Sequence, residues 1–355
     1  MPDSSQPSTQ PSIGALALIA VIVAAGAGAF AYTAGWLSPG RLTPARLVNS
    51  LAPPGGAVPG HRRNHAKGIC FTGVFESNGN GAEFSRAQVF ARGRYAALGR
   101  FNLGSPDPVA PDAAVRVRGM GLQLSTPDGA VWRTAMIDPP IFAVATPAAF
   151  YELQTASHSP DPDAIKRFVA GHPEFMAFAD WAKHAPWTAS YAQDAFNGLN
   201  AFIVVDASDA PRAVRWSLRP QAPVVAVTPD ALAKLGPNHL EQEIAARVAQ
   251  GPQRWTMVLT LADPGDLTAD PSKAWPAGRR SVDVGTLVVE QIEAERDGPC
   301  RDINFDPTIL PDGIRLSDDP FPAARSAAYA RSYDLRTAET KHYPYHEQPT
   351  AGGRQ

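Results

Sequence analysis

Short apolar segments joined by tight turns recur along this chain, and they confine it to antiparallel β architecture. Ile69–Phe75 reads as one strand. Val115–Arg118 alternates and continues through Leu122–Leu124, a Pro127–Asp128–Gly129 turn follows, and Val131–Thr134 returns. That order is a hairpin with turn chemistry at its tip. Ala201–Val205 with Ala213–Leu218 forms a second hairpin, and Arg254–Leu261 with Val282–Val289 a third pair across a long excursion. Gly99–Asn102 ends a further strand. At least seven strands and few β–α–β patterns predict a sheet closed into a barrel. The 35 prolines and 29 glycines in 355 residues suit turns and long loops. Helical patterns are inserted at Pro147–Thr155, in pieces over Pro162–His184, at Leu240–Ala249 and from about Ala323 to Arg336.

No charged residue occurs between Ser4 and Pro39, and Ile13–Trp36 is one apolar or small-residue run. Its length suffices to cross a bilayer. Ala29–Phe30–Ala31 has the small residues of a cleavage site. The first positive charges, Arg41 and Arg46, follow the run, which under the positive-inside rule argues for retention inside. Long domains cross largely regardless of such charges, so an export signal or anchor is the expectation and a buried core helix the alternative. The organisation expected is a polar tail over 1–12, a transmembrane or signal-anchor helix over 13–36, a linker over 37–59, a globular domain over 60–337 and a tail over 338–355.

Lys and Arg total 32 against 34 Asp and Glu, a balance that gives no sign of a nucleic-acid partner. Cys70 and Cys300 are too far apart for a local metal or redox pair. In an oxidising compartment they form one disulfide; otherwise they are two buried thiols, and the sequence leaves both open.

Two remote segments carry chemistry. Arg62–Arg63–Asn64–His65 precedes the first strand and offers an imidazole as acid/base. On the last helix Arg325, Tyr329 and Arg336, at offsets of four and seven, share one face. A tyrosine beside a cation suits an anionic oxygen ligand for iron. Alone, each segment reads more simply as a surface histidine and a packed tyrosine. The other histidines form no convincing zinc pair.

Taken together, these segments resemble the haem catalase superfamily, and specifically its small branch of catalase-related peroxidases. Arg100–Phe101, Pro140–Phe142, Asp266–Thr268, Trp275–Pro276, Val284–Val288, Asn304–Pro307 and Leu310–Ile314 follow that family's motifs in order, over roughly 60–337. The resemblance implies an α+β fold, a closed eight-stranded antiparallel barrel with helices outside and haem b buried in it. It implies Tyr329 as the axial iron ligand with Arg325 as its partner, and His65 as the distal acid/base. Arg62, Arg100 and Arg336 fall at propionate positions and Phe142 on the distal wall.

The chain departs from the family at several points. Ile137, flanked by Asp138, stands where catalases carry a distal asparagine. Asn102 stands where they bond the histidine with a serine, and Arg63–Asn64 replace small apolar residues. The chain ends soon after Arg336, without the C-terminal helical region of large catalases. The expectation is a peroxidase that reduces hydrogen peroxide or organic peroxides with an organic electron donor. It would sit at the bacterial inner membrane facing the periplasm. The alternatives are a true catalase and a non-catalytic haem-binding barrel.

Overall fold

The computed structural model describes residues 13–38, 40–53 and 55–339. The expected tail over 1–12 and residues 340–355 of the one expected over 338–355, with His342 and His346, lie outside the described residues, while 338 and 339 belong to the last helix. Ten strands make up one sheet: β1 (Gly68–Ser77), β2 (Gly93–Leu103), β3 (Arg118–Ser125), β4 (Val131–Ile137), β5 (Phe196–Asn197), β6 (Phe202–Val205), β7 (Pro211–Pro220), β8 (Gln253–Leu261), β9 (Ser281–Ala294) and β10 (Ile314–Leu316). The order β1–β2–β3–β4–β5–β7–β8–β9 closes where β9 pairs with β1, and β10 and β6 continue outward from β7. All these pairs are antiparallel, so the expected eight-stranded closed barrel is what forms. Closure pairs most barrel edges, although β4 meets β5 only through Ile137 and Asn197, and Arg133 N–H bonds the Ile309 carbonyl outside the sheet.

Helices surround it: α1 (Ile13–Thr33), α2 (Pro44–Ser50), α3 (Pro147–Ser157), α4 (Ala164–Gly171), α5 (Phe175–His184), α6 (Pro229–Lys234), α7 (His239–Gln250) and α8 (Phe321–Glu339). The stretch read as linker over 37–59 therefore contains α2. Its signal was legible, since Thr43 accepts from the Arg46 N–H at 3.2 Å and Pro44 opens the helix. The Val115–Arg118 segment differs too, because β3 begins only at Arg118. Over its 21 residues α1 is about 31 Å long, has no buried residue, and matches the hydrocarbon thickness of a bilayer.

Strand alternation decides where a ligand can go. Phe71, Phe101, Met120, Trp132, Phe196, Trp216 and Trp255 point inward with Tyr191 and fill the barrel. Phe101 stacks on Tyr191 at 5.1 Å. A haem inside the barrel has no room, which corrects the expectation taken from the resemblance. The intervening residues Arg100, Asn102, Gly121, Ala135 and Ile137 face outward, toward α2, α3 and α8. The space they help enclose is a cavity that His65 and Tyr329 also line.

Candidate active site

Register builds the cavity floor. Arg100 pairs with Gly121 and Gly121 with Ala135; Asn102 pairs with Gly119 and Gly119 with Ile137. Three neighbouring strands thus present two polar side chains on one edge and small residues beyond. A Cβ at Gly119 would lie 2.4 Å from Asn102 Oδ1, and one at Gly121 would lie 2.7 Å from the Phe305 ring. Both glycines keep this patch thin. The cavity above it measures about 410 Å³ and is bounded on one side by His65 and on another by Tyr329.

His65 sits in a left-handed backbone conformation, φ 55°, between Asn64 and β1. Asn64 Oδ1 accepts the His65 backbone N–H at 2.9 Å. Arg63 is buried and donates to Glu339 on α8 and to the carbonyls of Val58 and His61; its backbone N–H reaches Ser332 Oγ at 3.1 Å. Of these two departures from the family pattern, Arg63 straps the histidine loop onto α8 and Asn64 braces the loop internally. The His65 ring makes a 2.7 Å bond from Nδ1 to Asn102 Oδ1, while Asn102 Nδ2 donates to the Arg100 carbonyl at 3.3 Å. With Oδ1 as acceptor, Nδ1 carries the proton and Nε2 is left as the basic atom. Burial holds the imidazole pKa down at about 4, against the Asn102 bond and assisted by Arg100, Arg325 and Arg62. His65 is therefore neutral at pH 7.

Tyr329 lies on α8, where its hydroxyl accepts from Arg325 Nη2 at 3.1 Å. Arg325 also donates to Ala135 O at 2.8 Å and to Asn200 Oδ1 at 2.7 Å, and Asn200 in turn donates to buried Asp319 at 2.8 Å. One turn of helix spacing makes the Arg325–Tyr329 pair legible from sequence. Asn200 and Asp319 were not singled out, because nothing local marks an asparagine that acts 125 residues away. Phe142 lines the cavity and packs edge-on against Phe321 at 4.9 Å.

At another side of the cavity Arg62, Arg100 and Arg336 converge on Glu295. Arg100 grips it through Nε at 2.7 Å and Nη2 at 2.5 Å, and Arg62 Nε stands 3.4 Å away. Burial pushes the Glu295 carboxyl up, but Arg100, Arg62 and Arg336 outweigh it and hold it below its usual range. Arg100 also donates to the carbonyls of His65 at 2.8 Å and Ala66 at 3.0 Å. Four of its donors are thus committed to Glu295 and the His65 loop. Burial and the neighbouring Arg100 lower Arg62 to about 9. Arg62 and Arg100 bond this buried carboxylate and Arg336 acts on it electrostatically from nearby, so these four residues together carry a surplus of positive charge. Buried Arg336 Nη2 has no partner among the described residues. The surplus cations and the orphaned donor fit a ligand that ends in carboxylates, as a haem with its two propionates does.

Ile137, at the end of β4, lines the cavity as well. Its neighbour Asp138 instead accepts the Arg118 N–H at 2.8 Å and stands 3.4 Å from Arg116. Burial raises that carboxyl to about 7, with Asp194 adding to the effect. Asp138 is turned away from the site and does not stand in for a missing asparagine.

Cys70 and Cys300 are joined in a disulfide with their Cα atoms 5.4 Å apart, both fully buried. Just after it, the carbonyls of Cys300 (3.1 Å), Arg301 (3.2 Å) and Ile303 (3.0 Å) all accept from Arg62 Nη2, and Arg301 O accepts from Arg336 Nη1 at 2.8 Å. The crosslink therefore pins to β1 the loop that aims two cavity arginines. A Cys70→Ser/Cys300→Ser double variant is expected to lose about 2–4 kcal/mol of stability, measured as a lower urea midpoint. An unchanged midpoint would deny the crosslink any part in holding the fold.

A sequence model of the family described as Catalase matches residues 57–345. The chain belongs to the catalase family. It is 34% identical over 329 residues to the catalase-related peroxidase of Synechococcus elongatus, which covers 91% of this chain and 96% of that one. It is 33% identical to the catalase-related peroxidase of Mycolicibacterium paratuberculosis, over 84% of this chain and 96% of that one. A fungal catalase structure superposes with a TM-score of 0.70 at 17% identity, covering 81% of this chain and 61% of its own. Catalase A from Saccharomyces cerevisiae gives the same TM-score at 18% identity. These two structures bear on the fold, and the peroxidase relatives make this catalase-family chain an enzyme.

Proposed function

We propose that this enzyme binds haem b in the cavity and reduces hydrogen peroxide or an organic peroxide with an organic electron donor. The observation that carries the reading is that a neutral His65 and the Tyr329 hydroxyl border one cavity with a cluster of surplus guanidiniums. Tyr329 would hold the iron, Arg325 would donate a hydrogen bond to its oxygen, and Arg62 and Arg336 would take the propionates. The bound haem supplies the redox chemistry. His65 Nε2 takes the proton from one peroxide oxygen and returns it to the other, which then leaves as water or alcohol. Asn102 keeps the imidazole in the tautomer this needs. Arg100 acts mainly on the carbonyls of the His65 loop.

The catalase alternative requires a second peroxide held beside His65. Ile137 offers it neither donor nor acceptor. Wild type should therefore oxidise a phenolic dye with peroxide faster than it evolves oxygen. Ile137→Asn should raise oxygen evolution roughly 30-fold or more while dye oxidation changes little, since one hydrogen bond made in the transition state contributes about 2–4 kcal/mol. Oxygen evolution by wild type at catalase-like rates would replace the peroxidase reading with the catalase one. We also propose that α1 anchors the enzyme in the bacterial inner membrane with the barrel in the periplasm. The length of α1 and its uncharged surface support this, and the disulfide suits an oxidising compartment.

A further inference from the structure

The end of α1 and the wall of the cavity are neighbours. After Thr33 the chain turns tightly, with Trp36 N–H bonded to Ala31 O at 2.8 Å. It then folds back, so that a Cβ at Gly35 would lie 2.8 Å from the Thr43 methyl. Arg41 Nη1 donates to Tyr32 O at 2.9 Å, and its guanidinium lies 4.8 Å from the Tyr32 ring centre. Thr43 caps α2, which at seven residues is about 10 Å long. On α2, Leu47 and Val48 are buried against Ala328 of α8, and with Leu51 they line the cavity. On its other side Arg46 reaches the Tyr151 hydroxyl of α3 at 3.3 Å. At its far end His158, exposed just past α3, donates from Nδ1 to Ser50 O at 3.0 Å and lines the cavity mouth. Tyr32, Trp36 and Leu37 are exposed around the exit of α1, with Arg41 and Arg46 beside them. Aromatic and basic residues in this order are what the membrane–water interface favours.

We propose that the cavity mouth between α2 and α3 opens onto the bilayer surface, and that the organic donor enters there from the lipid as an alkyl hydroquinone. This rests on the peroxidase and anchor readings above. The interior of the mouth suits such a donor, since Leu47, Val48, Leu51, Phe150 and Leu153 line it. The reaction balances: both O–H bonds of the hydroquinone and the O–O bond of hydrogen peroxide break, two electrons and two protons pass to the peroxide oxygens, and two waters and a quinone form. The quinone is neutral and returns to the lipid.

The test uses the full chain with haem, in vesicles of phosphatidylcholine and phosphatidylglycerol. Since both native cysteines are paired, His158→Cys gives one thiol for a bimane probe. Pro127→Cys serves as control, at the tip of the β3–β4 hairpin and about 20 Å of strand from Ile137. Lipids brominated on their acyl chains should quench the probe at 158 severalfold more than at 127. The KM for total hydroquinone should fall at least tenfold from the methyl to the decyl homologue. Equal quenching at the two positions, or a KM that ignores chain length, overturns the proposal. Flotation with the vesicles separates the failures: protein that floats but shows no difference refutes this orientation alone, whereas protein that does not float refutes the anchor and this inference with it. Loss of water-soluble dye oxidation would instead refute the peroxidase reading.

Discussion

Tyr329→Phe is expected to strip most of the haem from the purified protein. The substitution deletes one oxygen and keeps the ring, so α8 should pack as before. Arg325 would lose its 3.1 Å bond to the hydroxyl but retain Ala135 O and Asn200. What disappears is the anionic oxygen proposed to hold iron. The loss in haem affinity should therefore exceed the roughly 10- to 100-fold that follows removal of an outer supporting partner. Haem per chain, taken from the absorption spectrum, is the readout, with circular dichroism as the check on folding. A variant that retains full haem and an unaltered spectrum would remove Tyr329 from the ligand role. Retention of haem with a shifted spectrum would point to a substitute ligand on the same side.

His65→Ala should do the opposite: keep the haem and lose the rate. Peroxide-driven dye oxidation should fall roughly 100-fold or more, the usual contribution of a positioned acid/base. The pH profile gives an independent reading. His65 is reactive as the neutral base, and burial first of all holds its pKa at about 4. The rate should thus stay level from pH 8 to about pH 5 and fall only as pH drops through about 4. An ordinary histidine would begin to fail near pH 6.5. A midpoint there would mean that the imidazole is solvated and that the distal loop is not held as described. A rate unaffected by His65→Ala would leave the non-catalytic haem-binding barrel as the better account. Removal of Arg63 or Asn64 would be expected to act through the same residue, since both fix the loop that carries it.

How much of this was legible beforehand depends on distance along the chain. The hairpins were readable because alternation and turn residues are local signals. The Arg325–Tyr329 pair was readable because one helical turn sets it. Ile137 and Asn102 drew notice only as departures from a family pattern. Glu295 drew none, although it bonds two cavity arginines, because a lone glutamate at the end of a strand is an ordinary surface residue until its partners 195 and 233 residues earlier arrive. The cavity itself was misplaced inside the barrel, since a strand pattern gives two faces and does not say which one a ligand will cover.

By itself, then, the sequence determined the antiparallel barrel, an apolar N-terminal helix read over 13–36 and formed over 13–33, and the residues proposed as acid/base and oxygen ligand, because alternation, helical periodicity and motif spacing act within a few residues. Only the tertiary structure decided that Cys70 meets Cys300, that the barrel interior is filled with aromatic rings, and that α2 walls the cavity beside the exit of α1. Each of these joins groups distant in sequence or chooses between two faces of one strand. Such choices follow from closing the sheet and packing helices on it, for which no local pattern in the chain is a sufficient cause.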